Sequence, residues 1–147
     1  MKFKSLIVLI TVVAAVASCA TRERSLSDKL TGVWSGSNAI EITMIDSSGN
    51  TVIQELSAPI EIEYNADSTF TAVITINDSN IVNMGGIVTF NDSLVSVTGS
   101  MSCAKTFEIT GDFKLNPDGT LLFSYTGTSL EVNVVHKGNT VAVKKVR

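Results

Sequence analysis

The 147-residue chain contains 11 Lys and Arg against 14 Asp and Glu, which gives a formal net charge of −3 at pH 7. This length suits one compact domain. The slight acidity argues against a nucleic-acid partner, since such partners favour basic surfaces. The chain also lacks a polybasic stretch that would hold an anionic membrane surface.

The first predicted element is an N-terminal export signal. Lys2 and Lys4 precede an apolar stretch that runs from Leu6 to Ala17. A transmembrane helix needs about 20 apolar residues, so this stretch is too short to be one. It fits the apolar region of an export signal, which follows a basic start and ends in small residues before the cleavage site.

Residues 16–19, Val-Ala-Ser-Cys, close this region and closely resemble the lipobox of bacterial lipoproteins. The resemblance implies that signal peptidase II cleaves after Ser18 and that Cys19 carries the lipid. An anchor with more than one acyl chain holds a protein stably on a membrane. The alternatives are a secretory signal cleaved elsewhere and a buried N-terminal helix that ends in a cysteine.

Cleavage at this point divides the chain into a signal peptide (1–18), a lipidated tether (19–30) and one β domain (31–147). The loss of Lys2 and Lys4 leaves 9 basic residues against 14 acidic ones, so the mature net charge is −5. We expect the tether to end in one helical turn that begins with Ser27 as its N-cap.

The residues around Cys19 also bear on location. The residue directly after Cys19 is not Asp, and no acidic run comes in the residues that follow. By resemblance to the sorting of bacterial lipoproteins, this favours anchorage in the outer membrane of the cell envelope, facing the periplasm. Lipid on Cys19 leaves Cys103 as the one remaining cysteine, and we expect its thiol to be buried and inert.

Nearly all of the rest alternates between apolar and polar residues, as half-buried strands do. Short turns rich in Gly, Asn and Asp separate the alternating runs, and we interpret residues 137–139 as one of them. Pro59 cannot donate to a ladder and predicts a bulge or bend. The predicted strands cover residues 32–46, 52–64, 69–76, 82–90, 93–99, 107–115, 121–125, 130–134 and 141–143.

These runs predict an all-β domain, an antiparallel up-and-down meander of about 8–10 strands. One apolar face must be hidden, and closure into a barrel also removes the sheet edges. The alternative is a β-sandwich. Mostly tight turns favour the barrel, because sandwiches usually contain a long crossover.

Gly32 and Trp34 frame a Gly-Val-Trp run at the start of the first strand. This run is similar to the first-strand motif of lipocalins and of the wider calycin group. The resemblance implies a lipocalin-like barrel in which Trp34 closes one end and a basic side chain of the last strand lies across its indole as a cation–π contact. Lys145, in the row of Val143, is our candidate for that side chain, and Arg147 is the alternative.

No group of residues predicts enzymatic chemistry. His136 is the one histidine, and zinc needs three or four ligands, so we expect no metal site. Glu61 and Glu63 share one face of a strand, but that face is polar, and solvated charges are the expected reading. We therefore expect neither enzymatic activity nor a cofactor.

The barrel interior is the expected place for function. Apolar rows lead into it, and Asn38, Gln54, Tyr64 and Phe90 are the candidate residues that line a ligand. We expect a small apolar or amphipathic ligand, bound inside the barrel or at its mouth. The alternative is a protein-interaction or inhibitor module with a packed core, suggested by apolar residues on outward rows: Ile45, Ile53, Val73 and Ile87.

Overall fold

The structure is a computed structural model that describes residues 24–92, 94–129 and 131–146. The predicted cleavage and lipidation sites, Ser18 and Cys19, lie outside these ranges, as does Arg147. The described chain forms one short helix, α1 (Leu26–Leu30), and eight strands. The strands are β1 (Gly32–Ile45), β2 (Thr51–Tyr64), β3 (Thr69–Asn77), β4 (Asn80–Asn91), β5 (Leu94–Ser102), β6 (Thr106–Leu115), β7 (Thr120–Thr128) and β8 (Val134–Lys144).

The strands close into one antiparallel barrel. Each strand pairs with the next in chain order, and β8 returns to pair with β1. The predicted all-β meander is therefore confirmed, and the barrel is the correct choice over the sandwich. Closure gives β1 a partner on both sides along nearly its whole length, from Trp34 to Met44.

Period-two alternation builds the core. On β2, Ala58, Ile60, Ile62 and Tyr64 are buried, whereas the residues between them are exposed. The alternation recurs along most of the strands, and every strand adds buried side chains to the interior. On β8 the inward row is largely polar, because it holds His136 and Thr140. Burial of the large interior side chains removes apolar surface from water, and each Å² removed stabilises the fold by about 25 cal/mol.

Two local predictions need correction. Residues 137–139 do not form a turn, because β8 runs through them without a break. The glycine at position 138 serves a close approach to Tyr125, described below, and Val134 is the first residue of β8. Pro59 causes no bulge in the β1 pairing, whose register continues from Ser37 opposite Pro59 to the next pair.

One end of the barrel, here called the closed end, is covered by α1. Ser25 is the N-cap of this helix, rather than Ser27, because its side chain accepts from the backbone N–H of Asp28. Leu30 is buried against the barrel, so residues predicted to belong to the tether pack on the domain. In the part of the chain that the structure describes, no helix has the length and apolar character needed to cross a membrane.

The opposite end, here called the mouth, is less complete. β2 pairs with β1 from Thr51 to Tyr64, but with β3 only from Ile60 to Tyr64. The β1–β2 hairpin therefore extends beyond its β3 neighbour. Residues 51–55 of this extension are exposed on both faces of the strand.

Candidate functional site

A column of aromatic rings fills the barrel axis. Phe113 packs on Phe123 with ring centroids 4.7 Å apart, and Phe70 lies 5.8 Å from Phe123. Phe123 packs in turn on Tyr125 at 5.2 Å, and Tyr125 stacks on His136 at 5.8 Å. The column leads from the closed end towards the mouth. Because these rings pack tightly, we expect a ligand site at the rim of the barrel rather than in its middle.

A groove of about 460 Å³ crosses this rim, within the range of small-molecule sites. Met44 and Val134 come from inward rows of β1 and β8 and are half-buried. Residues on the outward rows beside Met44 and Val134 complete the wall of the groove, together with the connection that precedes β8. The groove is lined by Thr43, Met44, Ile45, Thr51, Thr128, Ser129, Val132, Asn133, Val134 and Val135. Its apolar side chains suit an apolar part of a ligand.

A buried polar chain lies one layer below the groove. Thr140 Oγ1 donates to Asn38 Oδ1 at 3.0 Å, and Asn38 Nδ2 donates to the Tyr125 hydroxyl oxygen at 3.0 Å. That oxygen is 3.4 Å from His136 Nδ1. The hydroxyl already accepts from Asn38, and Nδ1 is the other polar atom within reach of it, so we assign the hydroxyl proton to Nδ1. This last contact is the longest and weakest of the three.

This direction fixes the histidine tautomer. If Nδ1 accepts from Tyr125, the other ring nitrogen of His136, Nε2, carries the proton. Among the described residues, Nε2 has no hydrogen-bond partner. His136 follows Val134 by two positions on the same inward row, about 7 Å along the strand, and is not itself part of the groove lining. The polar chain therefore ends at His136, one layer below the groove.

Burial keeps both ring partners neutral at pH 7. Burial raises the pKa of Tyr125 to about 12, against the opposing effect of the hydrogen bond from Asn38. Burial also lowers the pKa of His136 from its ordinary value. A neutral imidazole and a neutral phenol are the forms that the hydrogen-bond chain requires.

Gly138 makes room for this arrangement. It lies opposite Tyr125 in the β7–β8 register, and a Cβ at position 138 would stand 2.1 Å from the Tyr125 ring. No side chain larger than hydrogen fits there while the ring keeps its place.

The predicted lining residues separate into different environments. Asn38 is fully buried and belongs to the polar chain. Tyr64 is buried at the closed end, where its hydroxyl lies 3.1 Å from the Ser27 hydroxyl. Phe90 is half-buried beside Tyr64, with ring centroids 6.4 Å apart. Gln54 is exposed, because β2 has already passed beyond the barrel wall at that point. Of these four candidate residues, only Asn38 therefore belongs to the polar chain below the groove.

The basic side chain over Trp34 is Lys144, so our choice of Lys145 is wrong. Lys144 Nζ lies 5.4 Å from the indole centroid and donates to the Lys29 carbonyl at 2.8 Å. Trp34 is buried, and its indole N–H donates to the Leu30 carbonyl at 2.7 Å. Val143, the guide to our choice, is 58% exposed, so the odd-numbered row of β8 faces outward. Lys145 instead pairs with a carboxylate on the outer wall, that of Glu61.

Other predicted residues do not line the groove. Glu61 and Glu63 are exposed on the outer wall, as expected. Cys103 is exposed in the turn between β5 and β6, so the prediction of a buried thiol is wrong. Among the described residues, no three His, Cys, Asp or Glu side chains lie close enough to hold a metal ion.

Sequence reasoning missed Tyr125 and Thr140 as partners of Asn38. Both are on inward rows, but they come from strands far apart in the chain, and only barrel closure brings β7 and β8 to β1. They could have been identified from the alternation of inward and outward residues along each strand. His136, Thr140 and Gly138 fall on one inward row as soon as β8 is read as a single strand.

The architecture, an eight-stranded antiparallel closed barrel, is consistent with a lipocalin-like fold. A comparison of the sequence with models of known protein families finds no match. A comparison with curated proteins finds no similar sequence.

Proposed function

We propose that this protein is a lipid-anchored protein of the bacterial cell envelope that binds a small amphipathic ligand at the barrel mouth, without enzymatic activity. The apolar part of the ligand lies in the rim groove, against Met44 and Val134. Its polar part, a hydrogen-bond acceptor, lies on the N–H of His136. Such a division, mostly apolar with one placed polar group, is typical of small-molecule sites.

The observation that carries the proposal is the polar chain beneath the groove. A buried hydroxyl, amide and phenol cost free energy unless they are paired, so a core gains little from them as packing material alone. Here three of them form one chain that ends at His136 Nδ1. With Nδ1 as an acceptor, the N–H of the ring is at Nε2 and the ring is held in one orientation. A fixed donor beside apolar walls favours an acceptor such as a carboxylate, sulfonate or carbonyl.

Anchorage is supported by the sequence features at residues 16–19. Export and lipidation would put the barrel on the periplasmic face of the outer membrane, and α1, the last part of the predicted tether, covers the closed end. The mouth, at the opposite end, is then directed away from the membrane. Labelling of cells with radioactive palmitate tests the anchor: label should enter the wild-type chain and be absent from Cys19→Ala. Equal labelling of both chains would contradict it.

Binding is tested with anilinonaphthalene sulfonate, a fluorescent probe with apolar rings and an anionic acceptor. Val134→Arg places a charged side chain in the groove and should weaken probe binding by at least about tenfold. The matched control is Ile87→Arg, which puts the same charge on the outer wall, where Ile87 is 57% exposed. The proposal fails if both variants bind the probe as the wild type does while remaining folded by circular dichroism.

A further inference from the structure

We propose that the free edge of β2, residues 51–59, binds an extended segment of another protein as an added antiparallel strand, and that this segment has a basic residue followed two positions later by a β-branched apolar one. The first support is the pairing itself. Among the residues that the structure describes, β2 has a β3 partner only from Ile60 to Tyr64. An unpaired strand edge is a template for another strand.

The hydrogen-bonding groups that face this edge can be assigned from the ladder. The N–H of Asn65 donates to the Thr69 carbonyl on the β3 side. Backbone groups of alternate residues point to the same side of a strand, so odd-numbered residues of β2 face β3 or its continuation. The odd-numbered residues before Pro59 therefore present their N–H and C=O groups to the free edge, while even-numbered residues bond to β1; these are Thr51, Ile53, Glu55 and Ser57.

Pro59 marks one limit of the edge. It is odd-numbered, so its missing N–H falls on the same side as the four free donors. The ladder offered to a partner thus consists of the donors of Thr51, Ile53, Glu55 and Ser57. Pairing with β3 resumes at Ile60. An added strand of about five to seven residues fits this length.

Charge specifies the partner. Lys137, Glu41 and Glu55 stand side by side across β8, β1 and β2 on the outer wall. Lys137 Nζ lies 3.4 Å from a Glu41 carboxylate oxygen, whereas Glu55 makes no ion pair within the described chain. Two like charges directly opposite each other are unfavourable in a sheet. A Lys or Arg on an added strand, opposite Glu55, restores the alternation of charge.

The neighbouring position sets the second residue. Ile53 is on the same outer face as Glu55 and is 58% exposed. Aliphatic cross-strand pairs stabilise a sheet, so a Val or Ile opposite Ile53 is expected. In an antiparallel partner this residue follows the basic one by two positions, because the two strands run in opposite directions.

A second copy of this chain fits less well. A two-fold antiparallel pairing that uses all four donors is centred between Ile53 and Glu55 and places Glu55 opposite Ile53 of the second copy. That arrangement supplies no basic residue to Glu55, so the repulsion between Glu41 and Glu55 is left in place. The proposed occupant is therefore a different chain.

Amide hydrogen exchange of the full chain, with synthetic nine-residue peptides, tests the proposal. The peptide contains Lys and, two positions later, Val in a Thr background, and the matched peptide has Glu in place of Lys. Amides of Ile53, Glu55 and Ser57 should exchange fast alone and slowly with the Lys peptide. Amides of Gln54 and Leu56 should be slow in both states. Protection of other strands, or protection of the same three amides by rising protein concentration alone, would overturn the proposal.

Two variants sharpen the test. Wild type should prefer the Lys peptide over the Glu peptide by about 2- to 5-fold, and Glu55→Lys should reverse that preference. The matched control Glu63→Lys, where β3 already supplies the partner strand, should leave it unchanged. Ser57→Pro removes one free donor and keeps the backbone ladder to β1, but it also loses the hydroxyl contact with Ser37 at 3.1 Å, so Ser57→Ala is its control. Relative to that control, binding should weaken about 2- to 12-fold at an unchanged melting temperature. Equal binding of both peptides by wild type and Glu55→Lys would sink the idea.

Discussion

At the closed end of the barrel, neighbouring groups satisfy one another, whereas at the mouth several groups stay available. Trp34 bonds to the last residue of α1, and Lys144 both covers the indole and bonds to the helix carbonyl of Lys29. At the mouth, His136 Nε2 has no partner among the described residues, and the β2 edge has four backbone donors that no described strand pairs. The difference separates the part that holds the fold from the part able to bind.

The aromatic column connects the two ends. Like the closed end, it contributes to the stability of the fold rather than to binding. Phe123 is fully buried and contacts Phe70, Phe113 and Tyr125. Edge-to-face and tilted ring pairs add to the free energy gained from burial alone. We therefore expect substitutions in the column to act on stability and substitutions at the rim to act on binding.

The largest effect is expected in the column. Phe123→Ala should lower the free energy of unfolding by about 3–5 kcal/mol, because it removes a buried ring and leaves a cavity. The matched rim variant, Met44→Ala, removes a half-buried side chain and should lower it by about 1 kcal/mol. Urea denaturation followed by circular dichroism measures both. Similar losses would mean that the two regions do not differ as described.

The next effect concerns the support beneath the mouth. Gly138→Ala should cost about 1–3 kcal/mol of stability, because the added methyl group overlaps the Tyr125 ring. It should also weaken binding of the naphthalene probe, since Tyr125 orients His136. Asn139→Ala, one residue further on an outward row, is the control and should stay within about 0.5 kcal/mol of wild type. A neutral Gly138→Ala would show that the ring is free to move.

A smaller effect depends on pH. Burial lowers the pKa of His136 in the folded chain, while the unfolded chain keeps a value near 6.5. Below that value the unfolded state binds the proton more readily, so stability is retained above about pH 6.5 and falls as the pH drops. The loss from pH 6.5 to 5.5 is at most about 1.4 kcal/mol. Thermal melts should show this slope in wild type and a flatter one in His136→Gln.

The smallest effect separates two adjacent lysines. Lys144→Met should cost about 1 kcal/mol, because it removes the contact with Trp34 and the bond to the Lys29 carbonyl. Lys145→Met breaks only an exposed ion pair with Glu61 and should cost about 0.5 kcal/mol or less. A larger loss for Lys145→Met would restore the assignment that we made from the sequence.

The sequence predicts the fold well because each strand alternates clearly. On β2 the parity of Ile60 and Ile62 alone identifies the buried row. The apolar pattern predicts the wrong face on β8, where Val141 and Val143 are exposed and the inward row holds Thr140 and Ala142. Apolar character marked the wrong face there, because closure of the barrel, rather than hydropathy, decides which side of the last strand is inside.

The candidate site was predictable only in part. Asn38 was identified as a polar group on an apolar row, but its partners lie 87 and 102 positions away in sequence. Gln54 follows the same inward parity as Ala58, yet it is exposed. Parity gives a side chain's direction but not the length over which the neighbouring strand is present, which depends on the β2–β3 register.

The central claim, a fixed donor at the floor of the mouth, is tested most directly by ¹⁵N nuclear magnetic resonance of the imidazole. His136 is the one histidine of the chain, so the ring signals need no assignment to a residue, and Nδ1 and Nε2 are told apart by their couplings to the carbon-bound ring protons. At pH 7 the account predicts an unprotonated Nδ1 and a protonated Nε2, and a change at Nε2 larger than that at Nδ1 when anilinonaphthalene sulfonate binds. A protonated Nδ1, or an unchanged Nε2 with the probe bound, would contradict it.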